Sequence, residues 1–438
     1  METTIRPPIM SLQTAPPVET GGDKRAAKHT ALASLSQASI FESFYFRDFR
    51  WVWLGMFGSF MGFNMLMITR GWLVLRLADD SPLALALVIM SFAAPMTVVS
   101  LIGGALADRI SRKRMVLLSE GGNALMALLL ATLDLTGVVD FWHVLVIGLV
   151  SGSMMASNMP SRQAMISEIV PEGKLMNAIA LNSSSMNLTR IAGPALAGML
   201  IVFMDTAGVF FLISGIYCVS MLSMTMVSAG SKPVAKSGKG ITGDIREGFA
   251  YAGKNSALLS LIIMLFIPGL FGYSYFVLLP AWGREALDVD SDGLGFLVMM
   301  MGVGALVGTL LLAALGRLRR RGLFLLVSAL AWGVALSIFS QTTSYAAAIP
   351  ILMLMGLVSS IFMSLTMTLM QLHSAPEMRG RIMSIGMTTF GVMPLSAVPL
   401  GAVAEGIGTP DALLISGVLL VAFTMVFAAV STSIRKLA

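Results

Sequence analysis

The sequence predicts an all-α membrane protein: twelve transmembrane helices in two pseudo-symmetric six-helix bundles. Three observations carry that prediction. The composition is too apolar for water, the chain can be laid out as twelve apolar stretches of membrane-crossing length, and its two halves echo each other. Of 438 residues, 56% are hydrophobic and only 12% charged, against roughly 25% charged in an ordinary soluble chain. A mean hydropathy of +0.84 would leave soluble domains prone to aggregation, whereas a bilayer solvates the same side chains.

The chain opens with residues 1–45, rich in Thr, Ser, Pro and Ala and without a long apolar core. Such a segment is expected to be a disordered cytoplasmic tail, neither a signal peptide nor a span. Apolar stretches follow near 51–77, 82–107, 114–134, 142–166, 175–203 and 207–228. Each exceeds the roughly 20 residues needed to cross about 30 Å of hydrocarbon. After a polar interval come six more, near 257–282, 293–315, 322–340, 345–371, 381–404 and 410–433. The expected organisation is a first bundle over 46–228, a cytoplasmic linker over 229–256 and a second bundle over 257–438.

The charges test that layout independently. With the N-terminus inside, 25 of the 29 Lys and Arg fall in cytoplasmic segments, including Arg109 to Arg114, Arg162 with Lys174, and Arg317 to Arg321. The opposite face receives Arg76 and Arg284 but collects acids such as Asp79, Asp80, Asp134, Asp140, Asp205, Asp288, Asp290 and Glu405. This is the positive-inside asymmetry, and a wrong span count would scramble it. Both termini are therefore expected in the cytoplasm. A net charge of +6 sorted in this way reflects topology, and no nucleic-acid partner is expected.

The repeat is visible in prolines and basic loops. Pro171-Glu172 opens a span that reaches Pro194, and 205 residues later Pro376-Glu377 opens one that reaches Pro399. Arg109 and its basic neighbours match Arg317 to Arg321 at an offset of 208. Three matches at nearly one offset indicate a duplicated six-span unit, the parallel-repeat architecture of a large transporter class.

Two motifs then identify a resemblance. Gly104-Ala-Leu-Ala-Asp108-Arg109-Ile-Ser-Arg112-Lys113-Arg114 matches the signature between the second and third spans of the major facilitator superfamily. Arg190-Ile-Ala-Gly193-Pro194-Ala-Leu-Ala-Gly198 is similar to the Gly-Pro antiporter motif of drug-proton exporters, with fewer glycines. Together with Arg70-Gly-Trp72, Asp80-Ser81-Pro82 and Asn158-Met-Pro160-Ser-Arg162-Gln163, the pattern resembles the branch of enterobactin-type siderophore exporters and macrolide efflux proteins. The resemblance implies alternating access, export and a latch at Asp108 that holds the outward-facing state, with partners near Arg381. Arg112 is placed to pair with Glu168. Topology alone accounts for Lys113 and Arg114. Asp108→Asn is expected to lower transport without abolishing folding; normal turnover in a well-expressed variant would remove the latch.

Gly193, Pro194 and Gly198 suit a packed, kinked membrane helix, since neighbouring groups absorb the carbonyl that proline frees and small residues allow close approach. The resemblance adds control of leak and direction. Arg70 and Arg190 lie within spans, where a charge costs at least ~2.5–3.5 kcal/mol and so faces a cavity or a partner. Arg70 is also near enough to the outer surface to snorkel. Either arginine is a candidate to bind an anionic substrate or to tune a carboxyl proton carrier. Glu120, early in the third span, is the candidate carrier, although helix-end solvation or packing is the plainer role for it and for Asp134 and Glu405. The methionines and phenylalanines, 35 and 23 in number, supply adaptable apolar walls as well as lipid-facing surface.

The rival readings have less behind them. His29, His143 and His373 lack metal-ligand spacing, Cys218 stands alone in an apolar run, and no Walker-type nucleotide loop occurs. No cofactor is expected, and neither an embedded enzyme nor a substrate sensor finds its machinery here. An importer or facilitator stays open. The reading is a monomeric secondary transporter of a bacterial-type inner membrane, exporting an amphipathic siderophore- or drug-like molecule by proton antiport.

Overall fold

The computed structural model describes residues 42–107, 111–228, 247, 250–315, 320–375 and 378–435. Among them every regular element is helical. After a 3₁₀ turn over Glu42–Tyr45 come α1 (Arg47–Leu77), α2 (Pro82–Ala107), α3 (Arg112–Leu135), α4 (Phe141–Ile169) and α5 (Glu172–Thr225). The second half supplies α6 (Ser256–Phe271), α7 (Ser274–Leu287), α8 (Ser291–Leu315), α9 (Arg321–Ser340), α10 (Tyr345–Leu372), α11 (Arg379–Ile407), α12 (Thr409–Val430) and the short α13 (Thr432–Arg435). Over the described residues, eight helical runs, with α6 and α7 joined as one, are long and apolar enough to cross a membrane. Helices α2, α4 and α11 carry shorter apolar segments, Pro82–Thr97, Phe141–Ala156 and Leu395–Ile407. Asp108, Arg109, most of the 229–256 interval, Arg317 and Arg319 lie outside the described residues.

Helix ends fall where local chemistry stops the ladder. Between α1 and α2, Asp79 and Asp80 take positive φ of 45° and 59°, a conformation that Asp tolerates better than branched residues. Ser81 then caps α2, its Oγ accepting from the Ala84 amide at 3.1 Å. Asp140 and His143 form a reciprocal capping box at the start of α4, with the Asp140 amide donating to Nδ1 of His143 at 2.9 Å. Asn255 caps α6 through the amides of Ala257 and Leu258. Each such cap is worth about 1 kcal/mol. Within α5, Asp205 alone leaves helical geometry, with φ 59° and ψ 176°. Two helical limbs, 172–204 and 206–225, are thus joined through one strained residue.

The loops carrying Asp79, Asp80, Asp140, Asp205, Asp288 and Asp290 define one acidic end of the molecule. There Arg76 pairs with Asp134 and, at 3.3 Å, with Asp205, while Asp134 also accepts from the Thr206 hydroxyl. The large side chains Trp282, Trp332, Phe339 and Phe362 are wholly buried, and the Trp282 indole donates to the Ser340 carbonyl at 3.0 Å. Leu310, Val327, Ile338, Val418 and Val426 instead lie exposed on the flanks. Such a surface suits lipid, where the apolar face needs no cover.

Helix α1 packs along α5, α3 against both α4 and α5, and α2 against α4. In the second half α8 packs along α10, and α9 against α10 and α12. Two seams join the halves, α5 with α8 and α2 with α11. The seams are exchanged by the sequence repeat, because α5 carries Pro194 and α11 carries Pro399, 205 residues later.

Candidate transport site

A buried charge cluster lies among α1, α3, α4 and the second limb of α5. Glu120 sits two turns into α3 and is completely inaccessible. Its Oε1 accepts from Ser59 Oγ of α1 at 2.8 Å and from Asn158 Nδ2 of α4 at 2.6 Å. Arg162 Nη2 closes an ion pair with the same oxygen at 2.8 Å. The guanidinium also donates from Nε to Asn158 Oδ1 at 2.9 Å and from Nη2 to Ser220 Oγ at 3.1 Å. Ser220 in turn donates to the Gly55 carbonyl of α1 at 2.7 Å. Asn158 and Arg162 meet because residues four apart share a helix face. Glu120 Oε2 and Arg162 Nη1 are both buried without a hydrogen-bond partner.

This arrangement corrects the assignment of Arg162 to a cytoplasmic loop. Its side chain is 1% exposed, and its charge serves a partner inside the helices. Glu120 is likewise no helix-end carboxylate solvated by water. Electrostatically, each member of the pair is the other's counter-ion, so loss of either one leaves a buried charge without its partner.

Arg70 lies elsewhere, two-thirds along α1, with only 5% of its surface accessible. Snorkelling to the surface does not occur. The guanidinium faces a cavity bounded by α1 and α2 on one side and α7 and α8 on the other, with its Cζ 5.8 Å from the Phe92 ring centre. The free volume is about 30 Å³, far below the ~300–1,000 Å³ of a drug-sized site.

The other residues singled out in the sequence are distributed along the seams and at the basic end. Arg112 pairs with Glu168, tying the start of α3 to the end of α4. Gly193 and Pro194 are buried, with Gly193 packed against Asn64 of α1: a Cβ there would lie 2.7 Å from the Asn64 Cβ. Gly198 accepts from Ser291 Oγ of α8 through its carbonyl at 3.1 Å. Arg190 is exposed, next to Ile191 where that residue meets Gly302 of α8. Gly104 lies in the last turn of α2, and Asp108 and Arg109 follow beyond the described residues.

Sequence reasoning did not pick out the polar contacts that tie the halves at the acidic end. Arg284 of α7 stacks over Trp72 of α1 at 4.7 Å and approaches Asp80 at 4.0 Å. Glu405 of α11 accepts from Ser81 Oγ at 2.8 Å and from the Leu83 amide at 3.4 Å, adding a cap to α2 from across the second seam. Charge at a helix start was the available signal.

Against this geometry, residues 38–436 match the family model described as transmembrane secretion effector. The chain belongs to this family of major facilitator superfamily transporters. Curated relatives agree with that membership. The multidrug efflux pump Tap of Mycolicibacterium fortuitum is 24% identical over 79% of this chain and 87% of its own length. The enterobactin exporter EntS of Shigella flexneri is 25% identical over 85% and 90%. The fold is shared with a POT family transporter in complex with 5-aminolevulinic acid, at a TM-score of 0.72, 13% identity and coverage of 89% and 97%. As a major facilitator superfamily member, the chain is a multi-pass membrane transporter of a small molecule, not an enzyme.

Proposed function

We propose that this transporter exports an amphipathic, siderophore- or drug-like molecule by alternating access, exchanging it for protons. In this reading twelve spans form two six-helix bundles, 46–228 and 257–438, joined by a linker over 229–256. The protein works as a monomer in the inner membrane with both termini cytoplasmic, so the acidic end faces outward. Asp108 and Arg109, which precede Arg112 in the sequence, act as the latch. The exporting relatives Tap and EntS support the direction.

The observation that carries the reading is the Glu120–Arg162 pair. A fully buried carboxylate with one unpartnered oxygen is a suitable proton carrier, and its counter-ion bridges α4 to α5, the helix that reaches the seam. The test is flux in proteoliposomes with an imposed pH gradient, screening siderophores, macrolides and cationic dyes. One pH unit is worth about 1.4 kcal/mol per proton and sustains roughly tenfold accumulation. That accumulation is expected to collapse with a protonophore. Flux indifferent to both gradient and protonophore would overturn antiport.

A further inference from the structure

The geometry points to Arg70 as the residue that recognises the anionic group of an amphipathic cargo, so that the transporter selects carboxylate-type anions over neutral or cationic molecules of the same shape. The inference rests on the transport reading but concerns what is bound, not what drives movement. Three observations support it. First, Arg70 is the only polar side chain in the cavity wall among the described residues; its neighbours there include Met67, Leu85, Phe92, Phe276 and Val298. Second, Nε and Nη2 of Arg70 are buried without a hydrogen-bond partner. Among the described residues no carboxylate lies within ion-pair distance of it. Third, the wall is built from both halves, α1 and α2 against α7 and α8, so separation of the halves enlarges the space around the charge.

A buried charge that satisfies nothing inside the fold destabilises it. Arg162 demonstrates the alternative within the same chain, with a carboxylate, an amide and a hydroxyl all supplied to it. Arg70 has the opposite environment: a planar fork of donors in an apolar wall with an aromatic ring beside it. That fork matches the two oxygens of a carboxylate, which a lysine ammonium does not reproduce. The apolar wall matches the body that carries the group. The present space of about 30 Å³ accommodates little more than a water-sized group, so the body enters only as the seams part.

The experiment uses the purified full-length protein in detergent and three probes of one shape: 2-naphthoate, 2-naphthamide and 2-naphthylmethylammonium. Calorimetry on the wild type is expected to show naphthoate bound about tenfold or more tighter than naphthamide, with the ammonium weakest. In Arg70→Gln the preference falls to within about twofold while naphthamide affinity stays unchanged, and Arg70→Lys keeps a part of it. Because two buried donors of Arg70 have no partner within the fold, Arg70→Met and Arg70→Gln melt at or above the wild-type temperature. Equal binding of naphthoate and naphthamide, absence of saturable naphthoate binding, or an intact preference in Arg70→Gln overturns the assignment. So does collapse of both neutral variants, which would make Arg70 a structural residue. Binding preference without gradient-driven flux would refute antiport and leave the site; flux without the preference would do the reverse.

Discussion

Arg162→Met is expected to destabilise the protein far more than the double replacement Glu120→Met with Arg162→Met. Both partners are almost wholly inaccessible, 1% and 0% exposed, so removing one leaves the other charged and unpaired among helices. Breaking such a pair costs about 3–5 kcal/mol, whereas replacing both members with apolar residues of similar volume is neutral or stabilising by about 1–4 kcal/mol. Glu120→Gln belongs with the single losses: the amide keeps an oxygen for Ser59 and Asn158 but removes the charge facing Arg162. Thermal melts of the four members of the cycle in detergent measure the coupling. Additive effects would show that the two charges do not sense each other. The double variant has a second use. If it folds well and still transports, the flux is expected to have lost its response to an imposed pH gradient, which separates a coupling role from a packing role.

Gly198→Val is expected to open the acidic end. A Cβ at Gly198 would lie 2.3 Å from the Ser291 carbonyl oxygen and 3.0 Å from Gly295 Cα, and one at Gly295 would lie 2.6 Å from the Pro194 carbonyl. These obstacles are backbone atoms, so no side chain can swing aside to relieve them. Overpacking of this kind costs about 1–3 kcal/mol, and that penalty falls on the state in which α5 and α8 touch. A bias of about 1.4 kcal/mol changes a two-state population tenfold. The reporter is Ile68→Cys, in the cavity wall, placed in a background where Cys218, the single native cysteine, is replaced by Ser. Labelling by a membrane-impermeant maleimide should accelerate about tenfold or more when Gly198→Val is added. An unchanged rate in a folded variant would mean that this seam is not the barrier.

Much of the fold was legible because a membrane reduces folding to a few strong rules. Apolar runs of crossing length gave most helix positions within a few residues, as the match of 82–107 with Pro82–Ala107 illustrates, whereas the run at 257–282 is two helices, Ser256–Phe271 and Ser274–Leu287. The Gly193–Gly198 segment was legible as a close-packing motif, though not which helix it meets. Arg162 was misread for a specific reason. An arginine near the end of an apolar run satisfies the topology rule by itself, and its partner Glu120 lies 42 residues earlier, on another helix. Pairing of that kind is tertiary and leaves no local trace. At Arg70 the sequence established the cost of the charge, but only packing decides between reaching the surface and facing a cavity.

The single-residue joint at Asp205 leaves α5 without slack. On one arm Gly198 touches α8; on the other Ser214 binds the Ala124 carbonyl and Ser220 holds Arg162. A flexible loop would absorb a shift of the first arm. Here the hinge is clamped by Arg76 and by the Asp205 side chain's own contact with the Thr206 amide at 2.6 Å. The two arms are thus joined with no intervening loop, one reaching the seam and the other carrying the serine that steadies the buried arginine. Lengthening this joint by a few glycines should leave both ends intact and disconnect them.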